Sequence, residues 1–91
     1  MNTADLERGT LVLSLAGHDK GETFAVLKTE GEYVYIANGA ARKISSPKRK
    51  KIKHVKPINV KIDLDVYERV GGLTDGALIK EIKKNLNKNG G

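Results

Sequence analysis

Turn signals cut the chain before residue 67 into short apolar runs, most of which alternate with a period of two. Gly9–Ala16 (Gly-Thr-Leu-Val-Leu-Ser-Leu-Ala) places Leu11, Leu13 and Leu15 on one face and Val12 on the other. A polar turn bounded by glycines, Gly17-His18-Asp19-Lys20-Gly21, comes directly after it, and then Thr23–Lys28 and Tyr33–Ala37 flank a second turn, Thr29-Glu30-Gly31-Glu32. In the third run Val34 and Ile36 alternate with Tyr33 and Tyr35, which predicts one core face and one aromatic face, and Phe24 reads as core. Asn38-Gly39 is a hairpin signal that favours positive φ at both residues, with Ala41–Ile44 as a short strand after it. A series of short strands joined by tight turns predicts a small β-barrel.

The remainder is organised by Pro47, Pro57 and the glycine pair Gly71-Gly72. Lys48–Val55 reads as a basic strand anchored by Ile52 and Val55. Ile58, Val60, Ile62, Leu64 and Val66 alternate with Asn59, Lys61, Asp63 and Asp65, so 58–66 is expected to be extended, as a sixth strand or an arm on the barrel. Region 73–88 carries an amphipathic helix from about Gly76 to Leu86, capped by Thr74 or Asp75, with Leu78, Ile79, Ile82 and Leu86 as its stripe. Lys83, Lys84 and Lys88 lie toward its C-terminal end, where cations suit the helix dipole. The expected organisation is therefore a polar lead-in over 1–8, a barrel over 9–66 and the helix over 73–88.

Ninety-one residues suit one domain with a small core. No cysteine is present, which removes disulfides and thiolate metal sites. Neither a signal-like start nor a membrane-length apolar run is visible, so a cytoplasmic location without membrane contact is expected.

Charge is the functional signal. Arg42, Lys43, Lys48, Arg49, Lys50, Lys51, Lys53 and Lys56 fall within 42–56, where no acidic residue occurs. Outside it, nine of the seventeen basic residues face eleven acidic ones, a net of −2 against +6 for the whole chain. Crowding like charges costs folding energy through self-repulsion, so a polyanionic partner is expected to offset it. Arginines can make bidentate phosphate contacts and lysines act as point charges, with Ser45, Ser46 and His54 adding hydrogen bonds. The plainer readings of this segment are a solvated tail, a nuclear import signal at Pro47–Lys51 and a membrane-surface patch. The apolar punctuation by Ile44, Ile52 and Val55 argues against the first, and the lack of an inserting aromatic or leucine face argues against the third.

Catalysis has little support. His18 and His54 are the only histidines, and Asp63, Asp65 and Glu68 form an acidic cluster with Asp63 and Asp65 on the wet face of the alternating run. The expectation is a non-enzymatic protein without cofactor or metal.

Gly9-Thr10-Leu11-Val12, Gly17-His18-Asp19-Lys20-Gly21 and Phe24-Ala25-Val26-Leu27 together resemble the KOW motif. Val34-Tyr35-Ile36-Ala37-Asn38-Gly39 followed by Arg49-Lys50-Lys51-Ile52-Lys53-His54-Val55 is similar to eukaryotic-type KOW proteins of the large ribosomal subunit, and closer still to their small bacterial KOW-domain RNA-binding relatives. The resemblance covers about residues 6–56. It implies an SH3-like barrel in which Gly9, Gly17 and Gly21 shape the motif turn. It also implies RNA binding, to ribosomal RNA or the ribosome, by the basic strand and by loops carrying His18 and Lys20. Asp5 and Glu7 at the start, and Asp19 and Glu22 at the turn, depart from the family pattern. Tyr33 and Tyr35 are candidates for base stacking or for simple packing. A different class of function, an adaptor that meets an acidic protein through the basic strand and a sheet edge at 58–66, fits the same composition. Oligomeric state is not legible.

Overall fold

The computed structural model describes residues 6–90, with side chains as far as Leu86; Asp5 and the side chain of Lys88 lie outside what is described. Five antiparallel strands form one sheet: β1 (Thr10–Ser14), β2 (Thr23–Glu30), β3 (Tyr33–Ala37), β4 (Lys48–Lys51) and β5 (Val55–Lys61). The order is β4-β3-β2-β1-β5. A 3-10 turn at Ile52–His54 joins the two edge strands. A short helix α1 (Asp65–Arg69) and a longer α2 (Asp75–Gly90) complete the chain.

The expected barrel is an open sheet: among the described strands, β4 and β5 are its two edges and do not pair with each other. The expected basic strand Lys48–Val55 is broken, because Ile52 turns inward to a buried position in the 3-10 turn and its N–H donates to the Glu32 carbonyl at 2.9 Å. Pro57 does not interrupt strand pairing. It lies within edge strand β5, opposite Val12, where its missing N–H costs little.

Both faces of the sheet are buried. One carries Val12, Phe24, Val26, Val34 and Ile36, closed by Leu6, Ile52 and Val55. The other carries Leu11, Ala25 and Ala37, covered by Ile62, Leu64 and the α2 residues Leu78 and Ile82. Leu6 therefore belongs to the core, so the lead-in is not polar throughout. The predicted Leu11/Leu13/Leu15 face dissolves along its length: Leu11 is fully buried and Leu15 is exposed, because β1 ends at Ser14 before Leu15 reaches the sheet interior.

The segment after Pro57 keeps its expected apolar grouping but is not extended through 66. Asn59 adopts a positive φ of 60° and the β1–β5 register slips between Thr10 and Val12, yet Ile58 and Val60 pack against the second core on the side of Ile62 and Leu64, as the alternation groups them. The strand ends at Lys61, Ile62 and Leu64 are buried beyond it, and Val66 lies exposed on α1. Asp63 and Asp65 are thus not strand residues; Asp63 Oδ1 accepts the Asp65 N–H at the start of α1.

Two glycines make close approaches that a side chain would forbid. Gly9, at φ 95°, exchanges backbone hydrogen bonds with Val26 and Ile62, and a Cβ there would lie 2.0 Å from the Ile62 carbonyl oxygen. Gly39, at φ 82°, lies against α2, where a Cβ would sit 2.4 Å from the Asp75 carbonyl oxygen. Asn38-Gly39 is consequently not a two-residue hairpin. Only Gly39 has positive φ, and Asn38 Oδ1 instead accepts the N–H groups of Ala40 and Arg42. The expected strand Ala41–Ile44 does not form; the loop docks on the helix through the Ile44 N–H, which donates to Asp75 Oδ1 at 2.8 Å. Asp75 being so engaged, Thr74 caps α2, with its Oγ1 accepting the Ala77 N–H. No described helix is long and apolar enough to cross a membrane.

Candidate nucleic-acid interface

Strand β4, Lys-Arg-Lys-Lys, carries no hydropathy alternation, so its neighbour decides which side chains turn inward. Its register on β3 pairs Lys50 with Val34 and Lys48 with Ile36, and pairs Arg49 with Tyr35 and Lys51 with Tyr33. Because successive side chains alternate, Lys48 and Lys50 fall on the Val34/Ile36 core face and Arg49 and Lys51 on the tyrosine face.

The two inward lysines converge on one carboxylate. Lys50 Nζ donates to Asp19 Oδ1 at 2.7 Å and to the Ala16 carbonyl at 2.8 Å, while Lys48 Nζ donates to Asp19 Oδ2 at 2.9 Å. Ser14 Oγ, buried at the end of β1, donates to Asp19 Oδ1 at 2.7 Å. Lys50 is only 7% exposed and Asp19 8%. Burial pushes the Asp19 carboxyl up, but the hydrogen bonds from Lys50, Ser14 and Lys48 outweigh it and hold the group well below the ordinary carboxylate range. Two residues expected to face RNA, Lys48 and Lys50, are therefore committed inside the fold, Lys50 completely. Asp19 is the counterion that fastens the Gly17–Gly21 turn to β4, rather than a negative charge facing outward.

That turn is built as the glycines suggest, with Gly17 at φ 89° and Gly21 at φ 90°. The Lys20 N–H donates to the Gly17 carbonyl, and the Gly21 N–H returns to the Ser14 carbonyl. His18 and Lys20 are exposed on it. The Leu15 N–H donates to the His54 carbonyl at 2.9 Å, which draws the 3-10 turn to the same corner.

The outward residues form the other half. Tyr33 and Tyr35 are half-buried, each with a cation over its ring. The Arg49 guanidinium carbon lies 4.4 Å from the Tyr33 centroid and Lys28 Nζ 4.7 Å from that of Tyr35. Arg49 thus leans diagonally past its direct partner to the next aromatic ring. Lys51, Lys53 and Lys56 are exposed and His54 half-buried. Arg42 and Lys43 are exposed on the loop that docks against α2; Lys43 Nζ reaches the Gly39 carbonyl at 3.3 Å. A shallow recess of about 370 Å³ opens at the β4 edge, lined by Ala16, Gly17, Tyr33, Arg49, Lys50, Lys51 and His54. The structure therefore brings the glycine turn, β4 and the 3-10 turn together, and sets Arg42 and Lys43 on a separate loop.

Ser14, Asp19 and the Arg49–Tyr33 pair are absent from a reading of charge density alone. One signal for the first was present: Ser14 shares the face of Val12, and a polar residue on a core face requires a buried partner. The acidic cluster near α1 has its own explanation, since Arg8 reaches Glu68 at 2.7 Å and Asp65 at 3.5 Å. Among the described residues no group of three His, Cys, Asp or Glu side chains is placed to hold a metal ion.

The chain matches no protein-family model and no curated protein.

Proposed function

We propose that this protein is a non-enzymatic RNA-binding module of the KOW type, its open sheet a variant of the SH3-like barrel, with ribosomal RNA or the ribosome as its target. The observation that carries this reading is the exposed, unpaired charge left after the internal lysines are removed. Arg42, Lys43, Arg49, Lys51, Lys53 and Lys56 stay at the surface, and no ion pair with a carboxylate is formed by any of them among the described residues. Cations held on a strand and a hydrogen-bonded turn lose little entropy on meeting a phosphate array, unlike those of a loose tail. Structured RNA presents dense phosphates and 2′-hydroxyls suited to such a surface.

Reversing Lys48 or Lys50 would break the buried cluster and unfold the corner, so the informative variant is the triple reversal Arg49→Glu, Lys51→Glu, Lys53→Glu. With about four to six phosphate contacts, wild-type log affinity for ribosomal RNA should fall against log salt with a slope of roughly −3 to −5. The variant should bind at least tenfold more weakly, roughly, with a shallower slope. Wild-type-like binding by a folded triple variant at moderate salt would refute the proposal. The competing adaptor reading draws on the unpaired outer edge of β5. It predicts that partners captured from lysate survive ribonuclease; RNA binding predicts their loss. Co-sedimentation with ribosomal subunits in a gradient tests the ribosomal target.

A further inference from the structure

Resting on the RNA-binding reading, we infer that the recess at the β4 edge is a subsite for a single unpaired base, which stacks on the Arg49 guanidinium. The Arg49 guanidinium carbon lies 4.4 Å from the Tyr33 ring centroid, a contact that restrains where the group sits. Arg49 is itself exposed, which leaves its guanidinium accessible to a second flat, polarisable ring. At about 370 Å³ the recess is at the small end of ligand clefts, a size for one nucleoside rather than a duplex.

Its lining fits the rest of a nucleotide. Lys51 stands on the same face as Arg49, two residues along the strand, where it can meet a phosphate. His54 lines the recess and offers ring nitrogens to a base edge. No lining residue is acidic, and the nearby Asp19 carboxylate is saturated by Lys48, Lys50 and Ser14, so nothing in the recess repels a phosphate. Gly17 forms one wall, and a Cβ there would lie 3.5 Å from the Asp19 carboxylate. The buried cluster then has a role in the subsite: it sets the distance between the Gly17 wall and β4.

The test uses a short oligoadenylate and a blunt RNA duplex of similar phosphate number, with wild type, Arg49→Lys and Tyr33→Leu. Arg49→Lys keeps the charge and removes the plane; Tyr33→Leu removes the ring that restrains the guanidinium. Both should weaken oligoadenylate binding by roughly tenfold or more while leaving the salt slope unchanged. Duplex binding should change by less than about twofold, because phosphate contacts are kept. If Arg49→Lys binds oligoadenylate as wild type does, or loses duplex binding to the same degree, the subsite does not exist although the RNA-binding reading stands. Preference for polyglutamate over oligoadenylate, abolished by Arg49→Lys, would reassign the recess to an acidic protein and overturn the inference. Failure of wild type to bind either RNA at low salt would instead remove the parent reading, before any variant is compared.

Discussion

Two corners of this molecule handle charge in opposite ways. Beside Gly9, Arg8 meets Asp65 and Glu68, and Glu7 meets Lys61, all in exposed pairs. The backbone holds that corner: Gly9 bonds to Val26 and Ile62 whether or not the surface charges pair. At the β4 edge the arrangement is inverted. A carboxylate and a lysine are buried against each other, and the surface cations beside them pair with no carboxylate among the described residues. Charge at the first corner is self-satisfied and decorates a fold made by hydrogen bonds and packing. Charge at the second is divided between a structural lock and surface cations that form no ion pair with a carboxylate among the described residues.

The largest effect should come from the backbone at the first corner. Gly9→Ala places a Cβ against the Ile62 carbonyl at a φ that side chains avoid, and should destabilise the domain by about 4 kcal/mol in urea unfolding. A loss below about 1 kcal/mol would show that β1 and the Ile62 segment separate easily, and would remove the contrast. Next comes the lock. Asp19→Ala leaves the Lys50 ammonium buried without a counterion and should cost roughly 3 kcal/mol.

Acid should reach the same lock. Because the Asp19 carboxyl titrates lower in the folded protein than in the unfolded chain, its contribution is complete above the unfolded value of about 4 and is lost as pH falls below that toward the folded value. Thermal midpoints should therefore fall below about pH 4 in wild type, and fall less steeply in Asp19→Ala. Glu7, lowered by its hydrogen bond and attraction to Lys61, acts in the same direction, but its pair is exposed and screened. The measurement in high salt isolates Asp19. The smallest effect belongs to Arg8→Ala: less than about 1 kcal/mol, and less again in high salt. If Arg8→Ala matched Asp19→Ala, the exposed pairs would be structural too.

Much of the strand layout was legible. Alternation and glycine turns located β1, β2 and β3, the cap located α2, and Phe24 fell in the core as its neighbours implied, but of the expected α2 stripe only Leu78 and Ile82 are buried while Ile79 and Leu86 are exposed. The sequence misled where a local signal had a distant competitor. Asn38-Gly39 carries hairpin chemistry, yet α2 packs so closely on Gly39 that the following residues bond to the helix start instead of returning as a strand. The alternation grouped Ile58, Val60, Ile62 and Leu64 correctly on one core, but the extended run failed at its end, where the strand stops at Lys61 and Val66 is exposed on α1. α1 was not anticipated; five residues are too few to show a helical period.

Residue order alone determined that positive charge concentrates in 42–56, that glycines bound a turn at 17–21, and that the chain alternates in short runs, since these are properties of neighbours along the backbone. Which of the β4 cations face outward was decided only by the register of that strand on β3, a pairing between residues some fifteen positions apart. A shift of one position would bury Arg49 and Lys51 and expose Lys48 and Lys50, because side chains on a strand alternate between its two faces. The partner of Asp19 depended on the same pairing, so the division of cations between lock and surface exists only once the sheet has formed.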